Sequence, residues 1–473
     1  MSSAPAASAA ATSAPPADLY ALDPAEAMNA PATMKERWRY LGPGMIMSAA
    51  VVGSGELITT TTMGATVGFA LLWLIVISTT VKVWVQMELA SYTIIKGIPA
   101  MQAYARVPFK IGKASWINVL WFMMDVCKMF QRGGIIGGAV VAFSMLAPVF
   151  GEALSHESII FWLVTLVIIT VALNVANRYK LLEQGSFIMV LVFTLITLGL
   201  ALSLPFTKFA FTLGDVLEGF SFQIPAGALA IAIAVFGLTG VGADEMTTYT
   251  YWCMEKGYAR WTGPDDGSEE RAQRAEGWIK VMRLDIFVSW VVCTTCTMSF
   301  YAIGAAILHP QKLVPKGNDV IATLSRMYSD ILGMPGYYIF LIGAIAVLWS
   351  TFVASGASVP RLWANNLATF GVFDWHNVKL RNRLIRIFMI GMPVIWSATY
   401  LGLKSPVIMV MIGGIGGAIF LVAVVIATWV LRRELDARFR SNTFLTLMLV
   451  ISSLAVGALA VFSLLDVFGI KIG

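Results

Sequence analysis

Charge is what this sequence has least of. Lys, Arg, Asp and Glu make up 13% of its 473 residues, against about 25% in an ordinary globular domain, which excludes a chain built of soluble domains. Histidine is nearly absent: His156, His309 and His376 are the only three, and each falls between the long apolar runs, so no histidine-based metal centre is expected inside them. Cysteine is scarce as well. Cys127, Cys253, Cys293 and Cys296 all lie in or beside apolar segments, which argues against a disulfide framework. Cys293 and Cys296 have CxxC spacing without the partners that a redox or zinc site needs, and read as ordinary buried thiols. No HExxH, GxSxG or P-loop is present, so an enzyme is not expected, and no permanently bound cofactor is implied.

Apolar residues are abundant, at 58%, with a mean hydropathy of +0.77. Segments near 41–65, 68–95, 115–149, 158–177, 184–205, 224–252, 281–308, 337–364, 384–403, 406–431 and 443–468 are each long enough to cross a bilayer. The expected fold class is therefore all-α, a polytopic membrane protein with about eleven transmembrane helices. Residues 1–34, rich in Ala, Pro and Ser, read as a disordered cytoplasmic tail, and 35–473 as the transmembrane part. The net charge of +6 is spread between apolar segments, so the expected partner is the lipid bilayer and not nucleic acid, and no obligate protein partner is evident. Basic residues alternate. Lys35, Arg37, Arg39, Arg106, Lys110, Lys113, Arg178, Lys180, Lys379, Arg381, Arg383, Arg386, Arg432, Arg433, Arg438 and Arg440 fall on one side, which places the amino terminus in the cytoplasm and the carboxyl terminus outside. The expected location is a plasma membrane, the inner membrane in a bacterium. The polar stretch 255–283 reads as a linker with an amphipathic helix from Glu269 onward.

Two spans carry the same interruption. Gly53-Ser54-Gly55-Glu56 lies in the first, and Gly240-Val241-Gly242-Ala243-Asp244-Glu245 in the sixth. Glycine lets a membrane helix unwind, and the backbone groups so freed need a polar cavity or a ligand. The opposing reading is close helix packing at small residues, but an intramembrane carboxylate costs several kcal/mol and marks an ion or solute path. Breaks in spans one and six are what five helices repeated with inverted topology, plus one appended, would give. The first repeat is then about 41–205, the second about 224–431 and the extra helix about 443–468. A secondary transporter places its cargo between such discontinuous helices. Lys128 and Arg132 are four residues apart on one helical face, near Asp125 and Gln131. They either pair with internal carboxylates or attract an anionic solute. In the second span Lys82 and Glu88 are about two turns apart, and Ser350, Thr351, Ser355 and Ser358 line the eighth. Trp38, Trp116 and Trp252 read mostly as interfacial anchors.

Gly42-Pro43, Ser48, Gly55, Thr59, Gly68 and Phe69-Ala70-Leu71-Leu72-Trp73 resemble, without a gap, the first helix and following loop of Nramp-family divalent metal transporters, with a weaker likeness at 237–248. The resemblance implies the inverted-repeat leucine-transporter fold. It also sets departures. The family's Asp-Pro-Gly-Asn stands opposite Gly53-Ser54-Gly55-Glu56, its Met-Pro-His opposite Val241-Gly242-Ala243, and its helix-three acids opposite Gln131 and Gly134. The implied site keeps Gly53, Ser54, Gly55, Glu56, Val241, Gly242, Asp244 and Glu245 around the substrate, with Glu56 and Asp244 as oxygen ligands and Lys128, Gln131 and Arg132 in coupling or charge pairing. Without thioether and histidine, such a site suits a hard divalent cation, Mg²⁺ or Mn²⁺, moved without the usual proton coupling. A small organic anion or zwitterion, alone or with Na⁺, is the alternative, and an intramembrane enzyme or sensor the lesser one.

Overall fold

The computed structural model describes residues 18–176, 179–440 and 442–467, with the side chains of 49, 50, 54, 179–187 and 463–467 outside that description. Residues 1–17 of the expected tail, Arg178 and the side chains of Ser54 and Lys180 therefore lie outside the described residues. Ten helices among those described are long and apolar enough to cross a membrane. They are Leu72–Lys96, Trp116–Leu146, His156–Val175, Ile188–Phe206, Leu229–Lys256, Glu269–Leu308, Met334–Thr369, Val378–Leu403, Pro406–Arg433 and Thr443–Phe462. Preceding them, Pro43–Val51, Val52–Thr60 and Thr61–Val67 run on as one helix, which makes eleven spans. The described residues are all-α apart from a two-residue antiparallel ladder, Lys110–Ile111 with Ala114–Ser115.

Local chemistry sets the helix ends. Ser115 and Asn118 form a capping box at the third span, and Ser155 and Ser268 cap the fourth and seventh. Gly97 and Gly257, both at positive φ, end the second and sixth. The seventh helix starts at Glu269, as expected, but continues without interruption into the span instead of forming a separate linker.

The first four spans each pack on the span five places further along, first on sixth, second on seventh, third on eighth and fourth on ninth, as an inverted repeat requires. In their most apolar stretches the second, third and sixth spans are 72, 72 and 78% buried, and the fourth, fifth and ninth only 33%, so the former set builds the centre and the latter meets lipid.

Two expectations need correction. From Asp18 onward the amino-terminal segment is not a free tail: the Asp18 carboxylate pairs with Arg381 at 2.6 Å, Tyr20 donates to Glu255 at 2.7 Å, and the Trp278 indole donates to Met28 O at 3.0 Å. Enough aromatic and ionic partners are available on that face to offset the ordering entropy. The first expected break is also absent. Residues 52–60 form a π-helix instead of unwinding, so Gly53, Ser54, Gly55 and Glu56 stay helical. A Cβ on Gly53 would lie 1.9 Å from Thr351 Oγ1 and 2.3 Å from Val347 O, and one on Gly55 2.9 Å from Leu238 Cβ. These glycines let the first span touch the eighth and sixth, which is the packing reading.

Candidate functional site

The second break is present. The half-helix Leu229–Leu238 stops, Thr239 is extended, Gly240 takes φ +63°, and a new half-helix runs Ala243–Lys256. Only a residue without Cβ adopts that φ cheaply. Val241 and Gly242 complete the turn. A Cβ on Gly242 would come within 2.4 Å of Glu245 Oε2, so this position is small to make room for the carboxylate.

Below the break the third span supplies a buried ion network. Asp125, Lys128 and Arg132 share one face, since spacings of three and seven bring residues over one another. The Arg132 guanidinium donates to Asp125 Oδ1 at 2.6 Å and to Asp244 Oδ2 at 2.9 Å, and it lies 5.1 Å from the Trp396 ring centre. The indole of Trp363 donates to Asp125 Oδ2 at 2.6 Å. Lys128 Nζ stands 3.7 Å from Glu245 Oε1. Both cations thus pair with internal carboxylates, which satisfies most of the desolvation cost of burying them. The third span comes this close to the tenth because of glycines: a Cβ on Gly413 would lie 2.4 Å from Gln131 Cβ, and one on Gly416 2.6 Å from Cys127 Cβ.

A cavity of about 50 Å³ opens here, enough for a few water-sized groups. Lys128, Gln131, Arg132, Asp244 and Glu245 line it, with Thr351, Ser355 and Ser358 of the eighth span opposite. Several buried atoms in this wall have no hydrogen-bond partner: the acceptors Gln131 Oε1, Asp244 Oδ1 and Glu245 Oε2, and the donor Lys128 Nζ. Met47, Thr248 and Trp252 also line it, beside the apolar Ile46, Ile135, Ala354 and Val359. None of Met47, Thr248 and Trp252 is among the site residues expected from the sequence. Met47 and Thr248 look like ordinary span residues in a sequence, and Trp252 is 8% exposed, a cavity wall instead of an interfacial anchor.

Glu56 is elsewhere. It is fully buried, and its two oxygens accept from the Gly240 amide at 3.2 Å and the Thr60 hydroxyl at 2.9 Å. It does not line the cavity with Asp244. Among the described residues no group of three or more His, Cys, Asp and Glu is arranged to hold a metal ion, so any ion in this cavity would take one or two carboxylates and neutral oxygens.

Comparison with known proteins gives the lineage. The model of the Nramp family, natural resistance-associated macrophage protein-like, matches residues 44–466. Among curated proteins, the divalent metal cation transporter MntH of Mycobacterium tuberculosis is 22% identical over 361 residues, 75% of each chain. Natural resistance-associated macrophage protein 2 of Homo sapiens is 25% identical over 126 residues, 26% of this chain and 22% of that one. A mutant of the Eremococcus coleocola manganese transporter shares the fold with a TM-score of 0.65 at 15% identity, covering 94% of this chain and 91% of that one. Mhp1, a nucleobase-cation-symport-1 family transporter, does so at 0.52 and 16%, covering 91 and 86%. The fold is thus the leucine-transporter-like inverted repeat, and with a family match over nearly its whole length the chain belongs to the Nramp family, as a multi-pass membrane transporter and not an enzyme.

Proposed function

We propose that this transporter carries a hard divalent cation, Mg²⁺ or Mn²⁺, by alternating access, and that the cation binds at Asp244 Oδ1, Glu245 Oε2 and Gln131 Oε1. The observation that carries the reading is the set of three buried acceptor oxygens without a partner on one cavity. A ligand that is a cation, or that presents bound waters as donors, satisfies all three. Mg²⁺ in particular is held through one or two carboxylates and keeps several waters. Charge supports it too. Around the break stand four carboxylates, Glu56, Asp125, Asp244 and Glu245, and three cations, Lys82, Lys128 and Arg132, so one negative charge is left for a ligand to balance. The relatives' names, divalent metal cation transporter and manganese transporter, point the same way.

The third span offers no acid free to relay a proton, since both Asp125 oxygens are engaged, and the reading therefore includes metal movement without family-type proton coupling. The face carrying the amino terminus is read as cytoplasmic, from the basic residues gathered there. The deciding experiment is uptake into liposomes followed with a metal-sensitive dye and an internal pH dye. Mg²⁺ or Mn²⁺ flux with little acidification is expected, and robust metal-driven acidification with strict exclusion of Mg²⁺ would sink the reading. A second reading, a small zwitterion, is favoured by one feature, the Lys128 ammonium on the same wall without a hydrogen-bond acceptor. Stabilisation by amino acids with no response to either metal would select it.

A further inference from the structure

The broken sixth span exposes backbone groups that a hydrocarbon interior cannot satisfy, and this chain closes them with its own charges. Lys82 of the second span is fully buried. Its ammonium donates to Phe236 O at 2.6 Å and to Thr239 O, the last carbonyls before the break, where the dipole of the half-helix Leu229–Leu238 is negative. One turn away, the Ser78 hydroxyl sits 2.5 Å from Thr239 Oγ1 and 3.3 Å from Phe236 O. On the next residue, the Gly240 amide is held by the Glu56 carboxylate. Carbonyl and hydroxyl oxygens at the negative end of a half-helix, with a carboxylate beside them, form the kind of donor set that takes a hard monovalent cation. Here a cation already occupies it, and it is attached to the chain. A lysine ammonium is a compact, strongly charged point donor, comparable in role to a small ion.

We infer that Lys82 is a built-in monovalent cation: it fills permanently, at the break, the place a dissociable Na⁺ or K⁺ would take, so the wild-type transporter needs neither. The inference is independent of which cargo the neighbouring cavity takes. It follows that shortening the side chain recreates an ion site, because the carbonyls, hydroxyls and Glu56 remain while the local excess of negative charge grows.

The test is thermal unfolding of the purified full chain in NaCl, KCl, methylammonium chloride and, as a control for ionic strength with a cation too bulky to enter, choline chloride. Lys82→Ala is expected to unfold earlier than wild type in choline and to regain roughly 2 °C or more, saturably, in methylammonium or Na⁺. Wild type should respond alike to all four salts. The double variant Lys82→Met with Glu56→Gln, which removes both charges, should also show no selective gain. Failure of Lys82→Ala to respond to any small cation overturns the inference, and so does a saturable Na⁺ or K⁺ response in wild type. If Lys82→Ala cannot be purified in any salt, Lys82→Ser takes its place in the same four salts, with the same expected and overturning results.

Discussion

Asp244 and Glu56 are both carboxylates next to a glycine pair, and the structure gives them different work. Asp244 has one oxygen on Arg132 and one facing the cavity, whereas both Glu56 oxygens are engaged by the chain. The Asp244→Asn variant should therefore raise the KM for Mg²⁺ or Mn²⁺ by about tenfold or more, equal to about 1.4 kcal/mol of binding. The Glu56→Gln variant should leave KM within about twofold and reduce the maximal rate, since it alters the break and not the cavity. Initial uptake rates in liposomes separate the two, and a KM rise in Glu56→Gln matching that of Asp244→Asn would return Glu56 to the ligand set. Much at this scale was legible in the sequence. Lys128, Arg132, Asp244 and Glu245 could be picked out because charged side chains inside a span are costly and so conspicuous, and Gln131 only through the family resemblance. Which acid faces the cavity could not, because that depends on whether Gly240 offers its amide to Glu56, a contact across 184 residues.

Among the elements, the existence and order of the spans were readable, because twenty apolar residues leave few alternatives, but their polar extensions were not: the seventh helix begins at Glu269 and not near 281, and the ninth at Val378 and not near 384. The state of a glycine-interrupted helix was not. Gly53-Ser54-Gly55-Glu56 and Gly240 to Glu245 look alike as strings, yet the first is wound into a π-helix against Thr351 and the second is open around Lys82. Tertiary contact decides between these outcomes. Gly53→Ala should accordingly destabilise the chain by about 1–3 kcal/mol or more, through overpacking, seen as a lower unfolding temperature. Adding Thr351→Ala should restore only part of it, because the Val347 carbonyl remains 2.3 Å from the new methyl. Full rescue by that second change would show that the eighth span yields there. Gly240→Ala should cost about 1–2 kcal/mol for a different reason, its positive φ.

Over the whole molecule, the amino-terminal segment ties span ends together: Asp18 and Tyr20 reach Arg381 and Glu255, Glu26 reaches Arg260, and Leu22 packs on Gly97. Burial pushes the Asp18 carboxyl up, but the Arg381 guanidinium and the Tyr20 amide more than offset this and hold it below its ordinary value of 3.8. A carboxyl lowered on docking contributes stability above its free value, lost as pH falls through the docked one. Docking should thus be constant across neutral pH and weaken only in strong acid. Asp18→Asn should mimic the acid state at pH 7, and limited trypsin digestion should then cut faster at Lys35, Arg37 and Arg39 than in wild type. Equal digestion rates would mean that the aromatic contacts hold the segment alone. This docking was not legible beforehand, since Ala-, Pro- and Ser-rich composition speaks only of low hydrophobicity and the partners are scattered over the chain.

That scatter has a consequence in time. Asp18 leaves the ribosome 363 residues before Arg381, which at about 5–20 residues per second is a wait of roughly 20–70 s. A segment synthesised this early is among the last to find its place, so its docking reports that the eight spans preceding Arg381 and the start of the ninth, Val378–Leu403, have already been made. A nascent chain truncated before Arg381 lacks that partner, and a protease that recognises the loose segment would distinguish unfinished copies from finished ones.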